Sequence, residues 1–494
     1  MPGNNGTVTT AYIAFHAAER PDAVAIINNG RSITYAEFAR DIRKITHALR
    51  ALDLPQGSKA AINSDDAYFN WLLTLAFEQL KVVTALVALP DIPDALQLVR
   101  HFDVVLSGKS FPAGAVRHHP TTTAWLQSIL ESGKEDREPA PEKRPDDPIR
   151  IVHTSGTTGI CKLLLYTRRI HEASIAKLVW AAGLTGRSRY LLALRSAVSG
   201  PVGCIRTGGT VIIEDRTTVA EAIGAHGITH TTLPPQFLKR VLGELPKNFV
   251  KPADLTVISF GATISPALRK RALAHLVTDL CDFYAANEVD TISSIRGSAE
   301  IGIVYPGVRV EVIDEHDHPL PLGEAGQIRV QTNCMLHAYL DDPEETRRFF
   351  KDGWFYTGDI GILHDMRRLQ VIGRRDDVLN IGGWKIAPEV IEDLILKTGE
   401  VGDAGVCSIS NADGIEEICV AVSHPRCGDE ELLRRITDAF RARHFGRIFH
   451  VIKLSAIPRT ANGKLQRKAL KAIAATAQAQ PQGPEPIRRS PGTP

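Results

Sequence analysis

Residues 154–162 read Thr-Ser-Gly-Thr-Thr-Gly-Ile-Cys-Lys. Glycines let a backbone approach a polyanion, hydroxyls and amides donate to phosphate oxygens, and a lysine supplies counter-charge. Thr154, Ser155, Gly156, Thr157, Thr158, Gly159 and Lys162 are therefore a candidate phosphate loop. The spacing is not G-x-x-x-x-G-K-[ST], so the common P-loop pattern fails, and a flexible Ser/Thr/Gly surface loop is the plain alternative. Four further groups follow in order: Tyr284-Ala285-Ala286-Asn287-Glu288, Trp354-Phe355-Tyr356-Thr357-Gly358-Asp359, Gly373-Arg374-Arg375-Asp376-Asp377, and Pro458-Arg459-Thr460-Ala461-Asn462-Gly463-Lys464. Each mixes glycine or small residues with a charge that could meet an anion or a metal. Singly, Tyr284 reads as a core aromatic, Glu288 as a solvated acid and Asp359 as a turn former.

The elements that must position these groups follow from periodicity. Ile33–Leu52 places apolar residues three and four apart, with Thr34 as N-cap and Glu37 three residues later, an amphipathic helix with a capping box. Strand-like runs at Ile149–Val152, Tyr190–Leu194, Thr210–Ile213, Thr229–Leu233 and Leu255–Phe260 alternate with helical patterns at Pro235–Leu245 and Ser265–Leu276. That alternation argues for βαβ units and a largely parallel sheet. From Gly307 to Gln331 the pattern changes to alternating strands around a turn-rich segment, an antiparallel or barrel-like subdomain. The expected fold class is α/β: a large N-terminal domain, 1–375, of stacked βαβ-type sheets plus the small barrel-like subdomain, and a small mobile α+β C-terminal domain, 376–472. Glu131–Asp147, dense in charge and proline, reads as a surface linker, and the tail 473–494 as disordered.

Composition narrows the function classes. Of 494 residues 44% are apolar and 23% charged, which excludes wholesale disorder and fibrous repeats. Lys plus Arg number 58 against 56 Asp plus Glu, a balance that gives no reason to expect nucleic acid or an anionic membrane as partner. Seven cysteines, at 161, 204, 281, 334, 407, 419 and 427, form no C-x-x-C pair, and the odd count does not suit a closed disulfide framework. No secretory pattern opens the chain and no window is apolar enough to span a membrane, so the expectation is a reduced, cytoplasmic setting.

The ordered set resembles the motifs of the adenylate-forming superfamily, which includes acyl-CoA synthetases, adenylation domains of peptide synthetases and firefly luciferases. Its phosphate loop is T-S-G-T-T-G-x-P-K, matched here except that Cys161 stands where the proline would be. The Tyr284–Glu288 segment is similar to Y-G-x-T-E, with Ala285 and Asn287 replacing glycine and threonine; Trp354–Asp359 to W-x-x-T-G-D; Gly373–Asp377 with Gly382, Gly383, Pro388 and Glu389 to the hinge block; and Pro458–Lys464 to P-R-T-x-x-G-K. The resemblance covers the chain to Ala472 and implies ATP, Mg2+ and CoA as cofactors or co-substrates. Chemically, an acid must be activated before a nucleophile can displace anything from its carbonyl, and transfer to AMP achieves this. Glu288 is then the natural Mg2+ ligand, and Tyr284 offers a ring face to adenine.

By resemblance, Asp282 accepts from the adenine amino group, Gly261 and Ala262 lie close to adenine, and Asp359 accepts from both ribose hydroxyls. Arg374 assists at the sugar or α-phosphate, and Asn287 must remake a threonine's α-phosphate contact. Lys464 is the lysine of the adenylation step, Asp376 the hinge, and Gly382 and Gly383 flank the thiol path. Arg195, Ser199, Phe237 and Thr263 are acyl-pocket candidates by position; Arg195 is either a surface arginine or a reader of a polar group on the acid. Their mixture of small and polar groups suggests a short or aromatic acid.

Three readings stay open: an acyl-CoA synthetase acting on a small carboxylic acid, a stand-alone enzyme loading a separate carrier protein, and a non-catalytic nucleotide-binding relative. A luciferase-type oxygenase has no residue here to recommend it. His226 and His230 are not expected to share a metal, Cys407 and Cys419 read as buried packing residues, and Arg441, Arg443, His444 and Arg447 as a solvated helix end or a contact for the CoA nucleotide.

Overall fold

The computed structural model describes residues 9–64, 66–87, 99–108, 116–138, 142–155, 161–194, 199–262, 264–375, 377, 379–381, 384–386, 388–410, 416–441, 450–460 and 465–479. Gly156–Gly159, Arg195, Thr263, Asp376, Gly382, Gly383, Arg443, His444, Arg447 and Lys464 lie outside them.

Two large sheets and a smaller one carry the molecule. In the first, parallel strands Lys59–Asn63, Val83–Leu86, Val104–Ser107 and Arg117–Pro120 are joined by Pro148–Ser155, which turns back antiparallel as Cys161–Thr167. The 154–162 segment thus begins at the end of one strand and finishes at the start of its antiparallel partner, with Ser155 opposite Cys161 and Thr154 opposite Lys162. In the second, Val24–Asn28, Thr210–Ile213, Arg189–Leu191, His230–Thr232, Thr256–Phe260 and Asp279–Ala286 run parallel. Their apolar residues face helices on either side, as the alternating pattern requires.

The sheet then continues antiparallel through Asp290–Arg296, Gly302–Val304, Arg368–Arg374, Trp354–Leu363, Ala325–Thr332 and Val308–Ile313. The barrel-like subdomain is therefore corrected. These strands are antiparallel as expected but do not close on themselves: Gly302 pairs with Leu369, which makes them the extension of the large sheet. The Thr34 capping box forms as read, Thr34 accepting from the Glu37 N–H and the Glu37 carboxylate from the Thr34 N–H.

The third sheet, Asp403–Ser410, Glu416–Ser423 and His450–Leu454, packs helices Pro388–Lys397 and Asp429–Arg441 on one face and Arg467–Ala479 on the other. No apolar cluster of described residues mixes side chains from before residue 376 with side chains from after it.

Two other expectations change. Helix Arg467–Ala479 runs past Ala472, because Ala474 and Ala477 are buried against the sheet. The charged run after Glu131 is held down by ion pairs: Glu135 meets Arg43 at 2.8 Å, Asp136 meets Arg50 at 2.8 Å and Asp147 meets Lys81 at 2.9 Å. No helix among the described residues is long and apolar enough to cross a membrane.

Candidate functional site

Asp359 and Arg374 sit directly opposite each other on neighbouring strands, so register alone brings them together. Arg374 Nε lies 3.1 Å from Asp359 Oδ1, and its Nη1 donates to the Thr357 carbonyl at 2.6 Å. Gly358 between them has φ +75°, a left-handed turn that suits glycine. From the next part of the same sheet, the Tyr284 hydroxyl donates to Asp359 Oδ2 at 2.6 Å. Burial and the Asp359 charge push the Tyr284 phenol well above its ordinary value, so it remains a donor. Asp359 is buried, with a side chain 11% exposed.

Glu288 lies in the turn between Asp279–Ala286 and Asp290–Arg296. That turn is pinned from outside: the Tyr166 hydroxyl donates to the Asn287 carbonyl at 2.5 Å and the Leu336 N–H to the Glu288 carbonyl at 2.8 Å. Glu288 is buried, and its Oε1 accepts from the Tyr339 hydroxyl at 2.7 Å. Magnesium takes one or two carboxylates and fills the rest of its shell with water and phosphate oxygens. One buried carboxylate of fixed orientation fits that demand; among the described residues no group of three acids, histidines or cysteines offers a protein-only cage.

Lys162, expected to face phosphate, is buried and ion-paired with Glu345 on helix Pro343–Phe349. Its Nζ also lies 4.8 Å from the Tyr339 ring centroid and 4.1 Å from that of Phe349. Tyr339 and Glu345 are absent from the sequence reading.

Asp282 is buried, and Arg269 donates to its Oδ2 at 2.8 Å. Burial pushes its carboxyl up to about 6 against the pull of Arg269. Gly261 and Ala262 are exposed just beyond strand Thr256–Phe260, beside the strand that carries Asp282 and Tyr284. Ser199 begins helix Ser199–Thr207 on the surface, and Phe237 is half-buried under the Arg240 guanidinium at 4.7 Å. His226 and His230 do not converge on a metal: His230 Nε2 bonds the Ala182 carbonyl at 3.0 Å, while His226 faces Glu214 at 3.6 Å. Cys407 and Cys419 are buried opposite each other on adjacent strands.

The family model described as AMP-binding enzyme matches residues 13–340. The chain belongs to that family. It is an adenylate-forming enzyme of the acid–thiol ligase class. It is 26% identical to the 4-chlorobenzoate–CoA ligase of an Arthrobacter species, with 93% of this chain and 94% of that protein covered. It is 24% identical to the fatty acid–[acyl-carrier-protein] ligase MmaC of Mycobacterium marinum, over 93% of this chain and 96% of that protein. Among solved structures it shares the fold of the anthranilate CoA ligase AuaEII in complex with anthranoyl-AMP, at TM-score 0.83 and 18% identity over 96% and 98% of the two chains. It also shares the fold of the O-succinylbenzoate CoA synthetase MenE from Bacillus subtilis, in complex with ATP and magnesium, at TM-score 0.81 and 22% identity over 93% and 99%.

Proposed function

We propose that this enzyme joins a short or aromatic carboxylic acid to AMP and then transfers the acyl group to the thiol of CoA. A carboxylate oxygen of the acid attacks the α-phosphorus of ATP and pyrophosphate leaves. The CoA sulfur then attacks the acyl carbonyl, its proton passes to solvent, and AMP leaves.

The observation that carries this reading is the Asp359 carboxylate, buried and held by Tyr284 and Arg374, with Glu288 in the turn that follows the Tyr284 strand. A buried carboxylate held in one orientation by a phenol and a guanidinium is the kind of acceptor that two adjacent hydroxyls of a ribose call for. Tyr284 bounds the nucleotide, with Gly261 and Ala262 at the neighbouring strand end, and Asp282 lies behind them on its arginine. Thr154–Gly159 with Lys162 take the triphosphate, Asn287 faces the α-phosphate, and Glu288 would hold Mg2+. Bound there, Mg2+ supplies neutralising charge to the phosphates. Arg195, Ser199 and Phe237 belong to the acid's side of the site, and Lys464 comes from the C-terminal domain, which turns about Asp376 to bring Gly382 and Gly383 to the thiol path.

The test is pyrophosphate release across a panel of aromatic, short and long-chain acids, with and without CoA. Release with an aromatic or short acid, and thioester only when CoA is present, is the expected result. Adenylate formed but discharged only by a carrier protein would replace CoA as the thiol; no acid-dependent release would overturn the whole reading. Within the same assay Glu288→Gln should lower adenylation roughly 100-fold or more, because charge matters most where phosphate charge develops, while acid binding changes little.

A further inference from the structure

We infer that Tyr339 is a positioning residue for adenylation, holding Glu288 and Lys162 in one fixed relation. The inference rests on the roles proposed for those two residues, and deepens them.

One side chain touches both. The hydroxyl donates to Glu288 Oε1 at 2.7 Å, and the ring face lies 4.8 Å from Lys162 Nζ. Tyr339 is itself fixed: it is 5% exposed, its N–H donates to Thr346 Oγ1 at 3.0 Å, and its ring meets Phe349 and Phe350 edge-on at 6.2 and 5.4 Å. A glutamate carboxylate rotates freely about its last torsion, and a strong hydrogen bond to one oxygen removes that freedom before any ligand arrives. The other oxygen then points in one direction.

Lys162 needs a different kind of support. A buried ammonium needs partners that answer its charge, and two ring faces together with Glu345 supply them. A triphosphate arriving at Lys162 competes with Glu345 for that ammonium while the rings hold the lysine stem in place. Tyr339 thereby sets the distance between the metal carboxylate and the phosphate-loop cation, two groups that otherwise belong to different sheets.

Tyr339→Phe removes the hydroxyl and keeps the ring; Tyr339→Leu removes both. Binding of a non-hydrolysable ATP analogue to the full chain is followed by calorimetry across a Mg2+ series, together with adenylation kinetics and thermal midpoint. Tyr339→Phe should need roughly tenfold more Mg2+ for half-maximal analogue binding and lose about tenfold in kcat, with analogue affinity in the absence of Mg2+ unchanged. Tyr339→Leu should in addition raise the KM for ATP about tenfold, as Lys162 loses a wall. A wild-type Mg2+ dependence in Tyr339→Phe, or losses that follow only the drop in thermal midpoint, overturns the inference while leaving the function intact. A wild-type chain whose analogue binding ignores Mg2+ overturns the role of Glu288 itself, and this inference with it.

Discussion

Asp359→Ala should lower acid-dependent adenylate formation by two to four orders of magnitude. Two charge-assisted hydrogen bonds to ribose hydroxyls are worth about 1.5–3 kcal/mol each, or about 3–6 kcal/mol together, and each 1.4 kcal/mol is about tenfold. The variant also strips Arg374 of the carboxylate opposite it and leaves the Tyr284 hydroxyl without its acceptor, so the rest of the clamp relaxes. Asp359→Asn is the informative companion. Its amide oxygen still accepts from Tyr284, but the charge facing Arg374 is gone, and a loss of about tenfold is expected. Calorimetric ATP binding and pyrophosphate exchange measure both. Adenylation within threefold of wild type in the alanine variant would remove the nucleotide from this carboxylate.

Lys464→Ala should cut adenylate formation about 1,000-fold yet leave thioester formation from supplied acyl adenylate within a few fold. A cation that meets the carboxylate and α-phosphate as they join acts where like charges approach, and about 4 kcal/mol is within reach of one such group in a water-poor site. Thiol attack on the finished adenylate has no such charge to neutralise. The described residues on either side are tied down: Arg459 and Leu465 form a bridge, and the Arg459 guanidinium binds Asp403 at 2.8 and 2.9 Å. Alanine at 464 removes a charge and touches neither contact. Separate assays of the two half-reactions decide the matter, and equal losses in both would sink the division of labour between the domains.

What could be read in the sequence was what is encoded locally. The Thr34 capping box needs only Thr34 and Glu37, and it forms. The parallel strands announced themselves by short apolar runs with turns between them. The Asp359–Arg374 contact is half legible: each residue stands in a motif, but their pairing depends on strand register, which no motif states. Tyr339 and Glu345 were illegible because their partners come from elsewhere in the chain, Glu288 for one and Lys162 for both, and a tyrosine or glutamate alone advertises nothing. Composition misled at the run after Glu131, where charge looked like solvation; the complementary Arg43 and Arg50 lie on the helix Tyr35–Arg50. Alternating strands likewise do not say whether a sheet closes or continues. The pairing of Gly302 and Ile303 with Leu369 and Arg368 decides it.

The separation of the apolar clusters at residue 376 bears on how the chain melts. Cooperativity spreads through shared buried surface, and none of the described clusters is shared across that point. The expected result is that the unit built on Asp403–Ser410 and its neighbours opens as a foldon of its own while the large sheets remain protected from hydrogen exchange. Its opening is paid for from its own small core, so heat should loosen the C-terminal unit first. A ligand that bridges the two units would then merge two transitions into one by mass action, without adding to the core of either.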